Sequence, residues 1–551
     1  MGRPYYNIFM QIFNAQRQLV TSPRLLLAAG LVALFVTVPF GYILLRAATG
    51  GQEVWERLLQ TRLPGLLANT LILMVLVTGG ALVIGVSMSW LTERTDLPGR
   101  AIFRWLLALP LAIPAYIGAI VHLALLRPRG GMIPQALTAL FGEPVPTPSP
   151  LGLWGAAFIL TLFTYPYVYL LSGAAFRNMH AALEEAARSF GRTAWQTFWQ
   201  VTLPALRPGL AAGALLVALD ILAEYGTVAL LRYETFSSAI FVQLYARFDR
   251  SAASVLSGVL IALAVFILWA EIRAQGRARF TQMDSSWRPA VRLALGKWKW
   301  PAFGLVLGVS AASLLVPVGV LLFWSVNALL DPDSLAAVFR SGSQGLVHFA
   351  WNSLWSSTLA AVLAVALSIP VALLAVRYPN RLSKLISRFC QIGYALPGVV
   401  IALSLVLLVN RFLPFLYATP LIVVMAYILR HMPQAVRASE SAIGRLSPAL
   451  EEAARTLGRT SLQTLFQVTI PLVFPGLLAG GALVFLTSLK ELPATLLLRP
   501  AGFDTLAVRV WMWAEEGFYM QAAPAALLLV LVSAIPLSFL LRREQIFHER
   551  A

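Results

Sequence analysis

Four ionisable residues sit within otherwise apolar stretches of this 551-residue chain: Asp220, Glu224, Lys490 and Glu491. A charge at the centre of a bilayer costs about 2.5–3.5 kcal/mol on insertion scales, so such residues face a bundle interior or a wet cavity. Three chemistries are open to them. Two carboxylates near a pathway attract a hard cation, which prefers oxygen ligands. Alternatively, Asp220 or Glu224 pairs with Lys490 to hold the halves together or gate a path, or a side chain is neutral and relaxes towards water. Other reactive residue types are isolated. His122 and His348 lack partners at metal-ligand spacing, and the single cysteine, Cys390, forms neither an intramolecular disulfide nor a cysteine metal cluster. No metal ligand set is assigned. Gly296-Lys297 is followed by Trp298 and lacks the upstream glycine of a phosphate-binding loop, and no Ser/His/Asp set occurs, so the chain is not read as an enzyme.

The elements that must position these residues follow from composition. Hydrophobic residues make up 59% of the chain and charged residues only 12%, with a mean hydropathy of +0.76. A soluble protein carries about a quarter charged residues, so the solvent here is lipid. Apolar runs of about twenty residues predict about twelve transmembrane helices. They centre near Phe35, Val77, Ile113, Leu160, Leu219, Leu263, Val309, Ala364, Ser404, Val424, Val484 and Leu529. The first, from about Leu25 to Leu45, is too long for a signal-peptide core and reads as retained. The runs are continuous, without the alternation of a membrane β-barrel. The fold class is therefore all-α and polytopic.

Lys and Arg outnumber Asp and Glu, giving a net charge of +18. About 29 of the basic residues fall in the N-terminus, 92–104, 177–207, 271–300, 377–388, 430–459 and the C-terminal tail, against about 12 in the intervening loops. The positive-inside rule makes the rich set cytoplasmic and both termini cytoplasmic. The Arg-rich stretch 271–300 reads as lipid-headgroup contact rather than nucleic-acid binding.

The chain repeats itself. LEEAARSFGRTAWQTFWQVTLPALRPGL begins at Leu183 and LEEAARTLGRTSLQTLFQVTIPLVFPGL at Leu450, an offset of 450 − 183 = 267. Upstream, Asn69 pairs with Asn352 and Pro114 with Pro397, at 397 − 114 = 283; the Pro-rich loop at 142–150 accounts for the difference. The offset of 267 also pairs Glu224 with Glu491. Both copies have the same membrane orientation, which predicts two six-helix repeats about a pseudo-two-fold along the membrane normal. The expected organisation is a first repeat at 1–275 with a cytoplasmic helical segment at 183–204, a basic linker at 276–300, and a second repeat at 301–551 with its twin segment at 450–471.

Each cytoplasmic segment reads as a short helix, a glycine break at Gly191 or Gly458, and a second helix that Pro204 or Pro471 stops before the next span. Bulky apolar residues such as Trp195, Phe198 and Trp199 among arginines suit insertion into a cleft on another protein; an interfacial helix lying on lipid headgroups is the alternative.

These residues carry a family resemblance. Glu184-Glu185-Ala186-Ala187, Gly191 and Pro204, with Glu451-Glu452-Ala453-Ala454, Gly458 and Pro471, resemble the EAA loop of binding-protein-dependent ABC importer permeases, with Val201 and Val468 where that family has Ile. The resemblance implies that the twelve named residues couple the permease to an ATPase subunit. It also implies a fused permease of the type I importer fold, working with two ATPase copies and an extracytoplasmic solute-binding protein in the bacterial inner membrane. ATP and Mg would then be bound by the partner, with no cofactor on this chain. The stretches ALDILAEYGTVALLRYETFSSAIF (218–241) and LTSLKELPATLLLRPAGFDTLAVRVW (486–511) are similar to the fused ferric-iron permeases, with Tyr225 where those more often have Phe. Asp220, Glu224, Tyr225, Lys490 and Glu491 are thereby candidates for a translocation pathway or gate. Related fused permeases carry thiamine, phosphonate or other small anions. The rival class is an ion-coupled secondary transporter, which leaves the duplicated segments unexplained.

Overall fold

The apolar runs form helices because lipid leaves backbone N–H and C=O groups no partner outside the segment. A computed structural model describes residues 23–128, 130–143, 145, 147–179, 181–275, 293–339 and 345–549. Most of the expected linker, and the first 22 residues, lie outside the described residues. Among the described residues there is no strand, only one β-bridge, Thr95 to Leu293.

Eleven of the twelve expected centres fall in helices, and Ile113 lies at a break between two. Nine are single helices long and apolar enough to cross a membrane, from Pro23–Ala48 to Tyr519–Phe539. The run around Ile113 is instead two helical pieces, Arg100–Ala112 and Ala115–Leu126, bent by 97°. Its twin around Ser404 is the short helix Gly398–Phe412, and the run around Val424 is Pro420–Gly444, whose second half is polar. The count of uninterrupted spans thus falls below twelve for a local reason. Pro114 and Pro397 force the preceding Ile113 and Leu396 out of the helical region, to ψ of 117° and 121°. The same proline breaks the same run in each repeat.

Contact and repetition divide the chain differently. One compact unit comprises Met1–Arg46 with Trp351–Thr505, and the other Ala47–Ala350 with Leu506–Ala551. The first helix of each repeat is therefore grouped with residues of the other repeat. In the first unit, Tyr42 meets Phe412 edge-on at 6.0 Å. In the second, Phe303 meets Phe103 at 5.5 Å and Trp324 stacks on Tyr519 at 5.8 Å.

Within each unit the helices approach through small residues, the usual device where lipid removes a hydrophobic driving force. A Cβ on Gly476 or Gly480 would lie 2.5 Å from the Ala442 or Ala438 methyl of Pro420–Gly444. Their twins Gly209 and Gly213 meet Leu153–Arg177, where a Cβ on Gly213 would come within 3.0 Å of the Val168 backbone. Ser172 and its twin Ser439 each hydrogen-bond a facing serine, Ser89 and Ser368, at 2.7 Å. Phe176 and Leu206 in one core occupy the places of Ile443 and Val473 in the other.

A small clip joins the end of Leu63–Arg94 to the end of the linker that leads into the second repeat. Leu293 N–H donates to Arg94 C=O at 2.8 Å and Leu295 N–H to Asp96 Oδ1 at 2.8 Å, with Lys299 Nζ 3.5 Å from Asp96 Oδ2. The Leu295 hydrogen bond, helped by the Lys299 ammonium, holds the Asp96 carboxyl below its ordinary value of 3.8. A carboxyl lowered on folding contributes its stabilisation in full above that ordinary value, and the contribution is lost as pH falls through the lowered one. Asp96→Asn should therefore remove part of the acid-side fall in thermal stability, read from melting temperatures of the purified protein between about pH 6 and pH 3.

Candidate functional site: two anchored hairpins and an intramembrane ion pair

The repeated EEAA sequence folds as the helices Ala181–Ser189 and Pro448–Thr456. A helix places residues i and i+3 on one face, and the motif divides accordingly. Glu184 and Ala187, like Glu451 and Ala454, turn inward and are buried, whereas Glu185, Ala186, Glu452 and Ala453 are exposed. The buried glutamates are held by arginines at the ends of earlier spans of the same repeat, Leu63–Arg94 and Leu346–Arg377. Arg377 Nε and Nη2 donate to both oxygens of Glu451 at 3.1 and 3.0 Å, and Arg377 Nη2 also reaches Leu446 C=O. Arg94 Nη2 donates to Glu184. Thr202 and Thr469, at the start of the following spans, donate to the same carboxylates at 2.8 and 3.2 Å. Each glutamate thus ties three elements together: an earlier span of the same repeat, the hairpin, and the span after it.

Arg94 and Arg377 were not singled out in the sequence, where they count only as cytoplasmic charge. Their separation, 377 − 94 = 283, is the offset already set by Pro114 and Pro397, and that periodicity is the signal that marks them.

The glycines close the short helices. In the first hairpin Arg192 N–H donates to Ala187 C=O and Gly191 N–H to Arg188 C=O; in the second Arg459 N–H donates to Ala454 C=O and Gly458 N–H to Arg455 C=O. This double closure requires a left-handed residue, and Gly191 and Gly458 have φ of 79° and 83°. A Cβ at either position meets nothing within 4 Å, so glycine is needed for its backbone and not for space.

Pro204 and Pro471 do not stop the second helix, contrary to the sequence expectation. A five-residue π turn, Phe198–Thr202 or Leu465–Thr469, precedes each, and the helix runs on as Leu203–Ala223 or Ile470–Leu489. Proline sits in the first turn after that widened segment, where its missing N–H is tolerated. The hairpin is therefore continuous with a span.

The expected intramembrane charges cluster at helix ends. Asp220 lies in the last turn of Leu203–Ala223; Glu224 follows that helix, and Lys490 and Glu491 follow Ile470–Leu489. The repeat-related glutamates share a geometry. Glu224 Oε1 accepts from Thr227 N–H at 2.7 Å and Glu491 Oε1 from Ala494 N–H at 3.3 Å, so each caps the short helix beyond the break, Gly226–Leu230 or Pro493–Leu498. Tyr225 is buried against Phe241 and Trp511, at 4.3 and 5.4 Å between ring centroids. Asp220, Glu224 and Tyr225 belong to one compact unit and Lys490 and Glu491 to the other.

Glu491 also carries an ion pair that the sequence did not suggest: Arg430 Nε lies 2.8 Å from its Oε2. Arg430 had been grouped with the cytoplasmic segment 430–459. It lies ten residues into Pro420–Gly444, about 15 Å along the axis, and Nη1 also donates to Leu396 C=O at 3.1 Å. Gly398 leaves room for the pair, since a Cβ there would come within 2.2 Å of Glu491 Oε1. At the twin of Arg430 the first repeat has Phe163 (430 − 267 = 163). Among the described residues no group of three His, Cys, Asp or Glu side chains could hold a metal ion.

A multi-pass helical bundle built from two parallel repeats, each with an anchored hairpin leading into a span, defines the membrane component of a binding-protein-dependent transporter. Residues 81–272 and 364–545 both match the family of binding-protein-dependent transport system inner membrane components, and the chain belongs to that family. It is 35% identical over 517 residues to an Fe(3+)-transport system permease protein of Haemophilus influenzae, covering 93% of this chain and 96% of that protein. A ferric transport system permease protein of Actinobacillus pleuropneumoniae is 25% identical over 493 residues, 86% of this chain and 70% of its own. A sulfate transport system permease protein of Escherichia coli is 31% identical over 202 residues, 35% of this chain and 70% of its own.

Two outcomes follow. Glu451→Ala leaves Arg377 buried without its counter-charge and should cost about 3–5 kcal/mol, most of it recovered when Arg377→Met and Glu451→Leu are combined; denaturation of the purified protein measures both. Gly191→Asn should keep ATPase co-purification and transport close to the parent because asparagine tolerates a positive φ, while Gly191→Val should lose both.

Proposed function

We propose that the chain is the permease subunit of an ATP-driven importer that carries ferric iron across the cytoplasmic membrane by alternating access. The observation that carries this reading is the duplicated hairpin, anchored by a buried carboxylate to one span and continuous with the next. A push on such a hairpin moves two spans together. Two copies of an ATPase subunit would dock on the two hairpins, bind ATP and Mg, and supply the work, while this chain hydrolyses nothing. An extracytoplasmic binding protein would deliver the solute on the side opposite the hairpins, with both termini cytoplasmic. The two repeats, joined by the basic linker, would rock about the pseudo-two-fold, which requires contacts that differ between the inward and outward states.

Ferric iron is favoured as cargo by the full-length likeness to the Haemophilus influenzae permease. The partial likeness to a sulfate permease makes an oxyanion the competing cargo. For the intramembrane acids the pairing of Glu491 with Arg430 supports a gating or structural role over direct ligation of the solute.

Radioactive iron uptake into proteoliposomes containing the permease, its ATPase and its binding protein tests the reading. Uptake should require ATP and all three components. Uptake of sulfate but not iron would replace the cargo, and uptake driven by an ion gradient without the ATPase would replace the mechanism. Glu491→Gln should slow uptake by roughly tenfold, about 1.4 kcal/mol, with the ATPase still bound. Unchanged transport and unchanged ATP consumption in Glu224→Gln plus Glu491→Gln would remove both acids from the pathway.

A further inference from the structure

The two hairpins share a backbone but not a surface. In the first, Phe190, Trp195 and Trp199 are 85%, 70% and 51% exposed; at the same three places 267 residues on, Leu457, Leu462 and Phe466 are 83%, 63% and 64% exposed. Repetition has thus kept three large apolar side chains facing outward, while two tryptophans in one copy correspond to a leucine and a phenylalanine in the other. Trp195 and Trp199 also meet edge-on at 5.6 Å, presenting one continuous aromatic ridge. The anchoring differs in the opposite sense. Glu451 is gripped by two nitrogens of Arg377, whereas Glu184 is bonded by one nitrogen of Arg94, whose buried Nη1 has no hydrogen-bond partner.

We propose that the hairpins divide their work: the first is the high-affinity dock for an ATPase subunit, and the second, more rigidly tied to its span, docks weakly. This rests on the reading that an ATPase docks here at all. Tryptophan is the residue most enriched among interface hot spots and leucine is under-represented. An aromatic side chain also buries roughly 150–250 Å² when seated in a groove. Exposed arginines flank both copies, Arg188 and Arg192 in the first and Arg455 and Arg459 in the second, so the complementary groove is apolar with an acidic rim. A lipid surface would accept the tryptophans and arginines, but the exposed Glu185 and Glu452 on the same short helices are repelled by anionic headgroups.

The test measures binding of the purified ATPase subunit to the full-length permease in nanodiscs of neutral lipid. Trp195→Ala with Trp199→Ala should weaken binding by about tenfold or more, and Trp195→Phe with Trp199→Phe should restore most of it. Leu462→Ala with Phe466→Ala should weaken binding less than about threefold. Melting temperatures equal to the parent's separate docking from folding. Equal losses from the two alanine pairs, or a larger loss from the second, would overturn the division. So would unchanged ATPase binding in the first pair together with weaker attachment to anionic vesicles, which assigns the ridge to lipid. Failure of the parent permease to bind any ATPase would instead overturn the transport reading itself.

Discussion

A carboxylate buried beneath a short helix and gripped by an arginine at the end of an earlier span of the same repeat is the contact on which the rest of this molecule turns. Taking both charges out of water is expensive, and well-packed apolar residues often give equal or greater stability. What an apolar pair cannot supply is direction. The arginine fork fixes where the hairpin sits at the end of its span, and the threonine at the start of the next span takes up a remaining lone pair of the same carboxylate. Force applied to the hairpin therefore reaches both spans through one group, without relying on the flexibility of a loop.

The π turn extends this economy of parts. If proline ended the second helix, the hairpin would swing on a loose joint. The widened turn absorbs the missing N–H and lets the helix continue, so the exposed ridge and the far end of the span lie on one rod. That rod ends where a glutamate caps the next short helix. Breaks of this kind within a membrane are tolerated only where the freed backbone groups find partners, and Glu224 and Glu491 are those partners. Exposed apolar ridge, span and intramembrane break are consecutive stretches of one segment, present once in each repeat.

Much of this was legible in the sequence because it depends on local rules. The apolar runs and the glycine that ends each short cytoplasmic helix are consequences of backbone chemistry, and each appears twice at a fixed offset, whereas the breaks at Pro114 and Pro397 were read through as continuous spans. The inward and outward division of Glu-Glu-Ala-Ala was not legible, since it depends on which way the short helix faces when it docks. Arg430 was misplaced for a related reason. A charge near the boundary of an apolar run reads as a loop residue until its counter-charge, 61 residues on by 491 − 430, is seen beside it. The stopping role given to Pro204 and Pro471 failed because a π turn leaves no signature in residue type. The interleaving of the compact units is a tertiary choice, to which repeat boundaries are blind.

The repeat also separates what the architecture demands from what it leaves free. Arg94 and Arg377, Asn69 and Asn352, and Ser172 and Ser439 keep the same partners or the same kind of partner, down to the asparagine amide donating to the carbonyl of Glu234 or Asp504 at 3.1 and 3.0 Å. Those positions hold spans in register, and a change in either copy would misplace a whole helix. Phe163 against Arg430 and Asp220 against Thr487 lie on the same framework and differ in charge. The Arg430–Glu491 pair thus has no arginine at the corresponding place in the first repeat, where Phe163 stands, although the helices that carry the two positions follow the same sequence pattern.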